Sequence, residues 1–191
     1  MSSTDSILSP RGRSGPANEP EERPAWYVLR VRPRHEQAVE RAIAAKGGET
    51  LCPTHTARHA WSDRVKLVET PVFPGYVFCR MRRNERRRYV EVPGVIQVVG
   101  FGRGPEAVPD EEIESLRRVA ASGLDLEPVE GWRPGRQVRV IDGPLAGAGG
   151  FVEEVLGRHR LVVTVSILQR AVAVEIDARW LAPAAPNRSE S

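Results

Sequence analysis

Hydrophobic and polar positions alternate from residue 76 onward, and this alternation predicts a strand that leaves a tight turn. Residues 73–78 read Phe-Pro-Gly-Tyr-Val-Phe, in which proline fixes φ and glycine accepts a positive φ, as a turn requires. One face is aliphatic and typical of a core, whereas the other is aromatic and then charged, which is unusual for a face that meets only water. We therefore expect a docking surface on the second face. The alternation places Val77, Cys79 and Met81 on the aliphatic face and Tyr76, Phe78 and Arg80 on the aromatic one.

The residues around this stretch predict a mixed αβ domain. Strand-forming residues fill 26–32 on both faces, as in a central strand that ends at Pro33, and a narrow apolar stripe predicts a helix over 34–46. Pro109, three acids behind it and two arginines near the end are typical of a second helix. Further extended segments are predicted at 49–53, at 65–69 after a hairpin tip near Trp61, and at 89–99.

The pattern changes after residue 122. Residues 122–134 are rich in Pro, Gly and acids and predict a linker, and the runs 137–141, 150–155, 160–165 and 171–176 predict a small β-barrel. The fold class is therefore α+β, with an αβ domain followed by an all-β barrel. We predict disordered tails at 1–24 and 183–191, an N-terminal domain at 25–122, a linker at 123–133 and the barrel domain at 134–182.

Composition indicates a cytoplasmic protein. Hydrophobic residues make up 40% and charged residues 28% of the 191 positions, and no apolar run is long enough for a membrane span or a signal peptide. Cys52 and Cys79 are too few for a disulfide framework, so we expect a reduced, cytosolic chain without membrane attachment.

Positive charge is concentrated in arginines although the net charge is only +3. Guanidinium groups suit bidentate contacts with phosphate or carboxylate, so the cluster is a candidate binding surface, but a solvated face explains a charge run equally simply. The cluster contains Arg80, Arg82, Arg83, Arg86, Arg87 and Arg88 around the single acid Glu85.

Nothing in the sequence predicts catalysis or a cofactor. Cys52, His55 and His59 have the spacing C-x₂-H-x₃-H, but zinc would need a fourth ligand, which only Cys79 or His35 could supply. Residues 100–104 are glycine-rich but run into a proline instead of a helix, so they do not predict a dinucleotide loop. We therefore expect a non-enzymatic protein without metal.

Two motifs together resemble the NusG family of transcription factors. Residues 138–152, VRVIDGPLAGAGGFV, resemble a KOW motif, and they are preceded by WYVLRVRPRHE at 26–36 and PVFPGYVF at 71–78. The resemblance covers residues 25–182. It implies an αβ sandwich of the NusG N-terminal type followed by an SH3-like KOW barrel.

The resemblance implies binding to RNA polymerase. In the family, the N-terminal domain bridges the clamp helices of the largest subunit and the gate loop of the second-largest subunit, suppresses pausing and helps the enzyme pass terminators. Phe73 and Phe78 could instead be ordinary core, and Tyr76 is the strongest candidate because its hydroxyl favours a partly wet position. The positions that match the clamp-binding surface are Phe73, Pro74, Gly75, Tyr76, Phe78 and Leu116.

Two charged segments match further contact positions of the family. Glu85, Arg86, Arg87 and Arg88 fall where the family places its gate-loop contact, but their chemistry departs from the His-Thr-Thr of RfaH-type relatives, so phosphates of nearby nucleic acid are an alternative target. Arg32, Arg34 and His35 match the edge near the non-template DNA strand, where arginine can contact phosphate and stack on unpaired bases. A solvated helix N-terminus is the alternative for this second group.

The barrel departs from the pattern of housekeeping members. The apolar residues expected at its partner-binding rim are Leu145, Phe151, Ile167 and Leu168, yet residues 167–175 lack the Phe-Gly-Arg turn and the Thr-Pro of those members. This disfavours binding of the termination factor Rho and favours an operon-specific paralog of the RfaH/UpxY type, with a small-subunit ribosomal protein as the barrel's expected partner. Residues 161–165 and 171–174 favour strands, so we expect a monomer with a stable β-barrel and no autoinhibition.

An RNA-binding, ribosome-associated KOW protein is the alternative function. The arginine cluster would then contact ribosomal RNA. The aromatic turn at 73–78 discriminates between the two functions, because polymerase docking needs it and ribosomal RNA binding does not.

Overall fold

The computed structural model describes residues 23–61, 64–102, 104–129 and 135–184, without the side chains of 57–61 and 64–67. The predicted tails lie almost entirely outside the described residues, as do the hairpin tip at 62–63 and part of the predicted linker. Within the described residues, no helix is both long and apolar enough to span a membrane.

The N-terminal part is built on an antiparallel sheet of four strands. Its elements are β1 (Ala25–Val31), α1 (Glu36–Ala44), β2 (Glu49–Leu51), β3 (Thr54–Trp61), β4 (Arg64–Pro71), β5 (Tyr76–Met81), α2 (Arg86–Val90), β6 (Val95–Val98), β7 (Gly100–Phe101), β8 (Gly104–Pro105) and α3 (Asp110–Ala121). The sheet order is β2-β5-β1-β6, while β3 pairs with β4 and β7 with β8 as separate hairpins. The prediction that residues 26–32 form a central strand is therefore confirmed.

The two faces of this sheet pack against different helices. Because neighbouring side chains of β1 point in opposite directions, Tyr27 and Leu29 join α1 and α2 in one apolar cluster, whereas Trp26 and Val28 join α3 in another. Val28 lies opposite Phe78 of β5, so both strands contribute to the α3 side.

The arginine-rich segment is helical, which the sequence pattern did not predict. Residues Arg83–Glu85 form a 3₁₀ turn that continues into α2, and Glu85 accepts a hydrogen bond from the Arg82 backbone N–H at 3.1 Å. Tyr89 anchors α2 in the cluster on the α1 side, so the predicted extended segment begins only at Val95. The burial of Tyr89 therefore makes this segment helical, although its other residues are mostly polar.

The C-terminal part is all β, as predicted. Its strands are β9 (Glu127–Val129), β10 (Arg136–Val140), β11 (Gly149–Val155), β12 (Arg158–Val165), β13 (Arg170–Glu175) and β14 (Leu181–Pro183), in the order β14-β10-β11-β12-β13-β9. Gly143, in the turn after β10, has a φ of +77°, and a Cβ there would lie 2.6 Å from the Trp180 ring. The Asp-Gly-Pro turn of the KOW motif thus requires glycine both for its backbone and for packing.

The predicted linker contains a strand. β9 pairs with β13, and Glu127 also accepts a hydrogen bond from Arg160 of the next strand, β12, at 2.9 Å. Between α3 and β9, only residues 122–126 lie outside helix and strand. The pairing partner is more than 40 positions away along the chain, so local composition did not reveal it.

Candidate functional site

The turn at Phe73–Tyr76 is held on both sides of Gly75. The Tyr76 backbone N–H donates to the Phe73 carbonyl at 3.1 Å, and Gly75 has a φ of +84°, so Pro74 and Gly75 form the centre of a type II turn. The Gly75 carbonyl accepts from the Val31 N–H at 2.8 Å, and the Gly75 N–H donates to the Glu36 carboxylate at 2.7 Å. We call residues 73–76 the FPGY turn.

The aromatic residues of this stretch differ in exposure. Phe73 and Phe78 are 1% and 0% exposed and contact each other edge to face, with ring centres 5.7 Å apart. Leu116 of α3 is fully buried in the same cluster, whereas Tyr76 is partly exposed beside it. The expected outer aromatic face is therefore mostly interior here, and Tyr76 is the aromatic of the stretch that retains accessible surface.

The barrel packs over this face. The Arg170 guanidinium lies 5.3 Å from the centre of the Tyr76 ring, within cation–π distance, and Ile167 and Leu168 pack against the cluster that contains Phe78 and Leu116. The barrel is a β-barrel as expected, but its position over this face disagrees with the expectation of no autoinhibition. Strand propensity predicted the barrel's fold and carried no information about where it docks.

Polar contacts join α3 to the barrel. Glu112 accepts hydrogen bonds from the backbone N–H and the hydroxyl of Ser166, at 3.0 and 2.5 Å. Ser115 Oγ accepts from the Gly149 N–H at 3.0 Å, and Arg118 donates to the Ala146 carbonyl at 2.9 Å. We call these contacts, with the Arg170–Tyr76 pair, the α3–barrel interface.

A cleft of about 910 Å³ runs beside the interface. In it, the Arg117 guanidinium lies 4.8 Å from the centre of the Trp26 ring and donates to Glu49 at 2.5 Å. Partial desolvation raises the pKa of Glu49, but the hydrogen bonds and charges of Arg117 and Arg80 outweigh it and hold this pKa below its ordinary value. The two parts of the chain therefore share one apolar cluster and also border a polar opening beside it.

The arginines of α2 are exposed at the surface. Arg87 pairs with Glu91 at 2.9 Å and Arg88 donates to the Lys46 carbonyl at 3.0 Å, so both guanidinium groups already have partners. Arg86 is exposed on the same helix. A single turn of helix thus presents three guanidinium groups to solvent.

Arg32, Arg34 and His35 form a tight exposed loop between β1 and α1. Arg34 has a φ of +65°, the His35 N–H donates to the Arg32 carbonyl at 3.0 Å, and the Arg32 N–H donates to the Gly94 carbonyl at 2.8 Å. The loop lies next to the FPGY turn, since Val31 and Glu36 on its two sides both bind Gly75. The structure therefore brings this predicted DNA-contact group and the predicted clamp-binding turn together.

The four residues predicted at the barrel's rim are divided. Ile167 and Leu168 lie in the turn between β12 and β13 against the shared cluster, and Phe151 lines the cleft. Leu145 is 0% exposed and belongs to the core that joins barrel and α3. In this arrangement the rim faces the N-terminal part of the same chain.

Several residues of the site are absent from the sequence-based prediction. Glu36 reads as an ordinary acid in the first turn of a helix, and Ser166 and Arg170 read as turn residues. Glu112 belongs to a feature that the sequence does show, the acidic first turn of α3. That feature indicated a favourable interaction with the helix dipole, however, and not a contact with the barrel.

The described residues show no group of three or more side chains suited to a metal ion, and the side chain of His59 lies outside them. Burial raises the pKa of the Cys52 thiol to about 12, with the nearby Glu40 and Glu36 carboxylates contributing. Burial likewise raises the pKa of Cys79 to about 12. Both thiols therefore stay protonated near neutral pH, which weakens them as ligands and as nucleophiles.

Comparisons with known proteins agree with the motif-based resemblance. The family model described as "Transcription termination factor nusG" matches residues 24–117. The "Transcription termination/antitermination protein NusG" of Pseudomonas aeruginosa is 35% identical over 167 residues, covering 80% of this chain and 94% of that protein. The protein of the same name in Escherichia coli strain K12 is 36% identical over 136 residues, covering 68% and 75%.

A solved structure supports the fold. The structure described as "Domain interaction in Thermotoga maritima NusG" matches with a TM-score of 0.50 at 22% identity, covering 84% of this chain and 97% of that one. At this identity the likeness concerns the fold alone.

Proposed function

We propose that this chain, which belongs to the NusG family, docks on the clamp helices of RNA polymerase through the FPGY turn and the neighbouring surface of α3. As a member of that family, the chain is a transcription elongation and antitermination factor. Curated relatives bear the name of transcription termination/antitermination proteins, so the alternative of a ribosome-associated RNA-binding protein is not favoured.

The observation that carries the proposal is the covered aromatic face. Tyr76 projects from a turn in which both backbone polar groups of Gly75 are bound. The Arg170 guanidinium lies over its ring, and Tyr76, Ile167 and Leu168 pack against one apolar cluster. Once the barrel leaves it, this face would be an exposed apolar patch, and exposed apolar patches mark protein interaction sites. A helical hairpin of the polymerase clamp is an occupant of suitable shape.

Docking requires that the barrel leaves the face, and the α3–barrel interface is suited to release. Its hydrogen bonds involving Glu112 and Arg118 lie at exposed positions, where water can replace them. Arg118 Nε is buried without a partner among the described residues, which costs stability in the closed arrangement. Release exposes Ile167 and Leu168 as well, so the barrel becomes available to its own partner, for which we propose a small-subunit ribosomal protein.

The charged segments support this orientation. With the FPGY turn on the clamp, the adjoining loop with Arg32, Arg34 and His35 would face the non-template DNA strand. The arginines of α2 would face the second-largest subunit or nucleic-acid phosphate. The departure of residues 167–175 from the housekeeping pattern supports a role at particular operons.

The test is binding of the purified full-length chain to core RNA polymerase, together with a transcriptional pausing assay. We expect Tyr76→Ala to weaken binding by roughly 30-fold, the effect of a central aromatic anchor. Tyr76→Ala also removes the contact with Arg170 and so loosens the barrel, which by itself should raise the affinity for polymerase. A lower affinity of this variant would therefore come from the loss of the aromatic side chain at the docking face.

Leu156→Ala is the matched control. Leu156 is 98% exposed in the turn between β11 and β12, and its removal should change neither binding nor pausing. Polymerase binding by Tyr76→Ala equal to that of the native chain would refute the docking mode. Binding of the native chain to ribosomal RNA but not to polymerase would refute the proposed function.

A further inference from the structure

Glu36 is the one carboxylate among the buried residues that the structure describes, at 5% exposed. Its Oε1 accepts the hydrogen bond from the Gly75 N–H at 2.7 Å, although the two residues are 39 positions apart in the chain. Burial of a carboxylate is costly unless charge or hydrogen bonds compensate it. The carboxylate therefore occupies this position for a contact that an exposed helix-capping acid does not make.

The surroundings of Glu36 provide that compensation in part. It is the first residue of α1, where the helix dipole favours negative charge, and its carboxylate accepts a hydrogen bond from an amide N–H. A solvent-facing acid at the same position would serve the helix dipole equally well. What the buried orientation adds is a connection between α1 and the FPGY turn.

With this contact, both backbone polar groups of one residue, Gly75, are bound. The Val31 N–H binds the Gly75 carbonyl and Glu36 binds the Gly75 N–H, so neither polar group of Gly75 is left to water. The two anchors lie on opposite sides of the Arg32–His35 loop. Loss of Glu36 would leave an amide with a φ of +84° unpaired immediately before Tyr76.

We infer that Glu36 is a positioning residue for polymerase docking: its carboxylate holds the Pro74–Gly75 turn and thereby sets the direction in which Tyr76 projects. The inference rests on the proposed function. When a partner covers the turn, the Gly75 N–H also loses access to water, so the bond to Glu36 matters more in the complex than in the free chain.

The experiment compares Glu36→Ala, which removes the acceptor, with Glu36→Gln, which keeps an amide oxygen at the same reach. We expect Glu36→Ala to weaken polymerase binding by about five- to tenfold, the usual effect of one lost hydrogen bond at a covered position, and Glu36→Gln to restore most of it. Amide hydrogen exchange at Gly75 should accelerate in Glu36→Ala and stay slow in Glu36→Gln.

Val39→Ala is the control for a general loss of stability. Val39 lies on the same helix, is fully buried in the α1 cluster and is not hydrogen-bonded to the turn through its side chain. A purely structural role predicts that Val39→Ala and Glu36→Ala weaken binding alike once their thermal stabilities match, and that result would overturn the inference. Equal binding by Glu36→Ala and the native chain would overturn it as well.

The two proposals fail differently. If the native chain does not bind polymerase, the proposed function is wrong, while exchange at Gly75 still decides whether Glu36 holds the turn. If the native chain binds and slow exchange at Gly75 persists in Glu36→Ala, only the positioning role is wrong.

Discussion

Loosening the barrel from its own side should strengthen polymerase binding. The double variant Ser166→Ala/Arg170→Ala removes the hydroxyl that donates to Glu112 and the guanidinium that lies over Tyr76. It changes no residue of the N-terminal docking face. The backbone bond from Ser166 N to Glu112 remains, so the perturbation is limited to two side-chain contacts.

The expected magnitude follows from these two contacts. A hydrogen bond to a carboxylate is worth about 1.5–3 kcal/mol in general, which we reduce to about 1 kcal/mol because the Ser166–Glu112 pair is exposed. A cation–π contact at an accessible site contributes roughly 0.5–1 kcal/mol. The sum, about 1.5–2 kcal/mol, shifts the ratio of open to closed molecules roughly 10- to 30-fold.

Polymerase affinity should rise by up to the same factor, because the apparent dissociation constant scales inversely with the fraction of molecules that can bind. The assays are titration with core polymerase and NMR detection of the Gly149 amide, which donates to Ser115 only in the closed arrangement. Arg158→Ala is the control, since Arg158 pairs with Glu175 within the barrel at 2.7 Å.

One result would refute the reasoning. If NMR shows that the barrel of the double variant has left α3 while the affinity for polymerase is unchanged, the covered face is not the docking face. An unchanged Gly149 amide signal would show instead that the two side chains do not hold the barrel in place.

Three further predictions address the interface, the core and the pH response. In Ser115→Cys/Gly149→Cys, a Cβ on Gly149 lies 3.8 Å from the Ser115 Oγ, so a small side-chain adjustment should let a disulfide close. Pull-down should then show polymerase binding lost on oxidation and restored by reductant. Phe78→Ala should lower the free energy of unfolding by about 3–5 kcal/mol in urea titrations, because the ring is fully buried; an unaltered midpoint would place it at the surface. Glu49→Gln should be less stable than the native chain at neutral pH, because Arg117 outweighs desolvation and lowers the pKa of Glu49. The stabilisation by ionised Glu49 is present above its ordinary pKa of 4.5 and is lost as the pH falls through its lower pKa in the folded state. The difference in denaturation midpoint between Glu49→Gln and the native chain should therefore disappear in acid. A difference that stays constant with pH would contradict this prediction.

The accuracy of the sequence-based prediction depended on how local the signal was. The central strand with Trp26 and the four barrel strands were correctly predicted, because period-2 alternation and turn residues report on short segments. The helix α2 was missed because Tyr89 becomes an anchor only once the α1 cluster exists. The strand β9 was missed because its partner β13 is distant in the chain.

The candidate site shows the same division. The FPGY turn was predicted from Pro74 and Gly75, whose backbone preferences are properties of the residues themselves. The burial of Phe78 and the contact of Tyr76 with Arg170 depend on where α3 and the barrel pack, and no pattern within residues 70–80 contains that information.

By itself, the sequence determined the central strand, the two longer helices and four strands of the barrel, where the Pro-Gly turn lies, and, through two motifs, the family. Those properties follow from backbone preferences and from the spacing of apolar side chains over a few residues. Only the tertiary structure decided that Glu36 holds Gly75 and that the barrel covers Tyr76. Both contacts join residues far apart in the chain, and such contacts form only after separate elements have found their places in the fold.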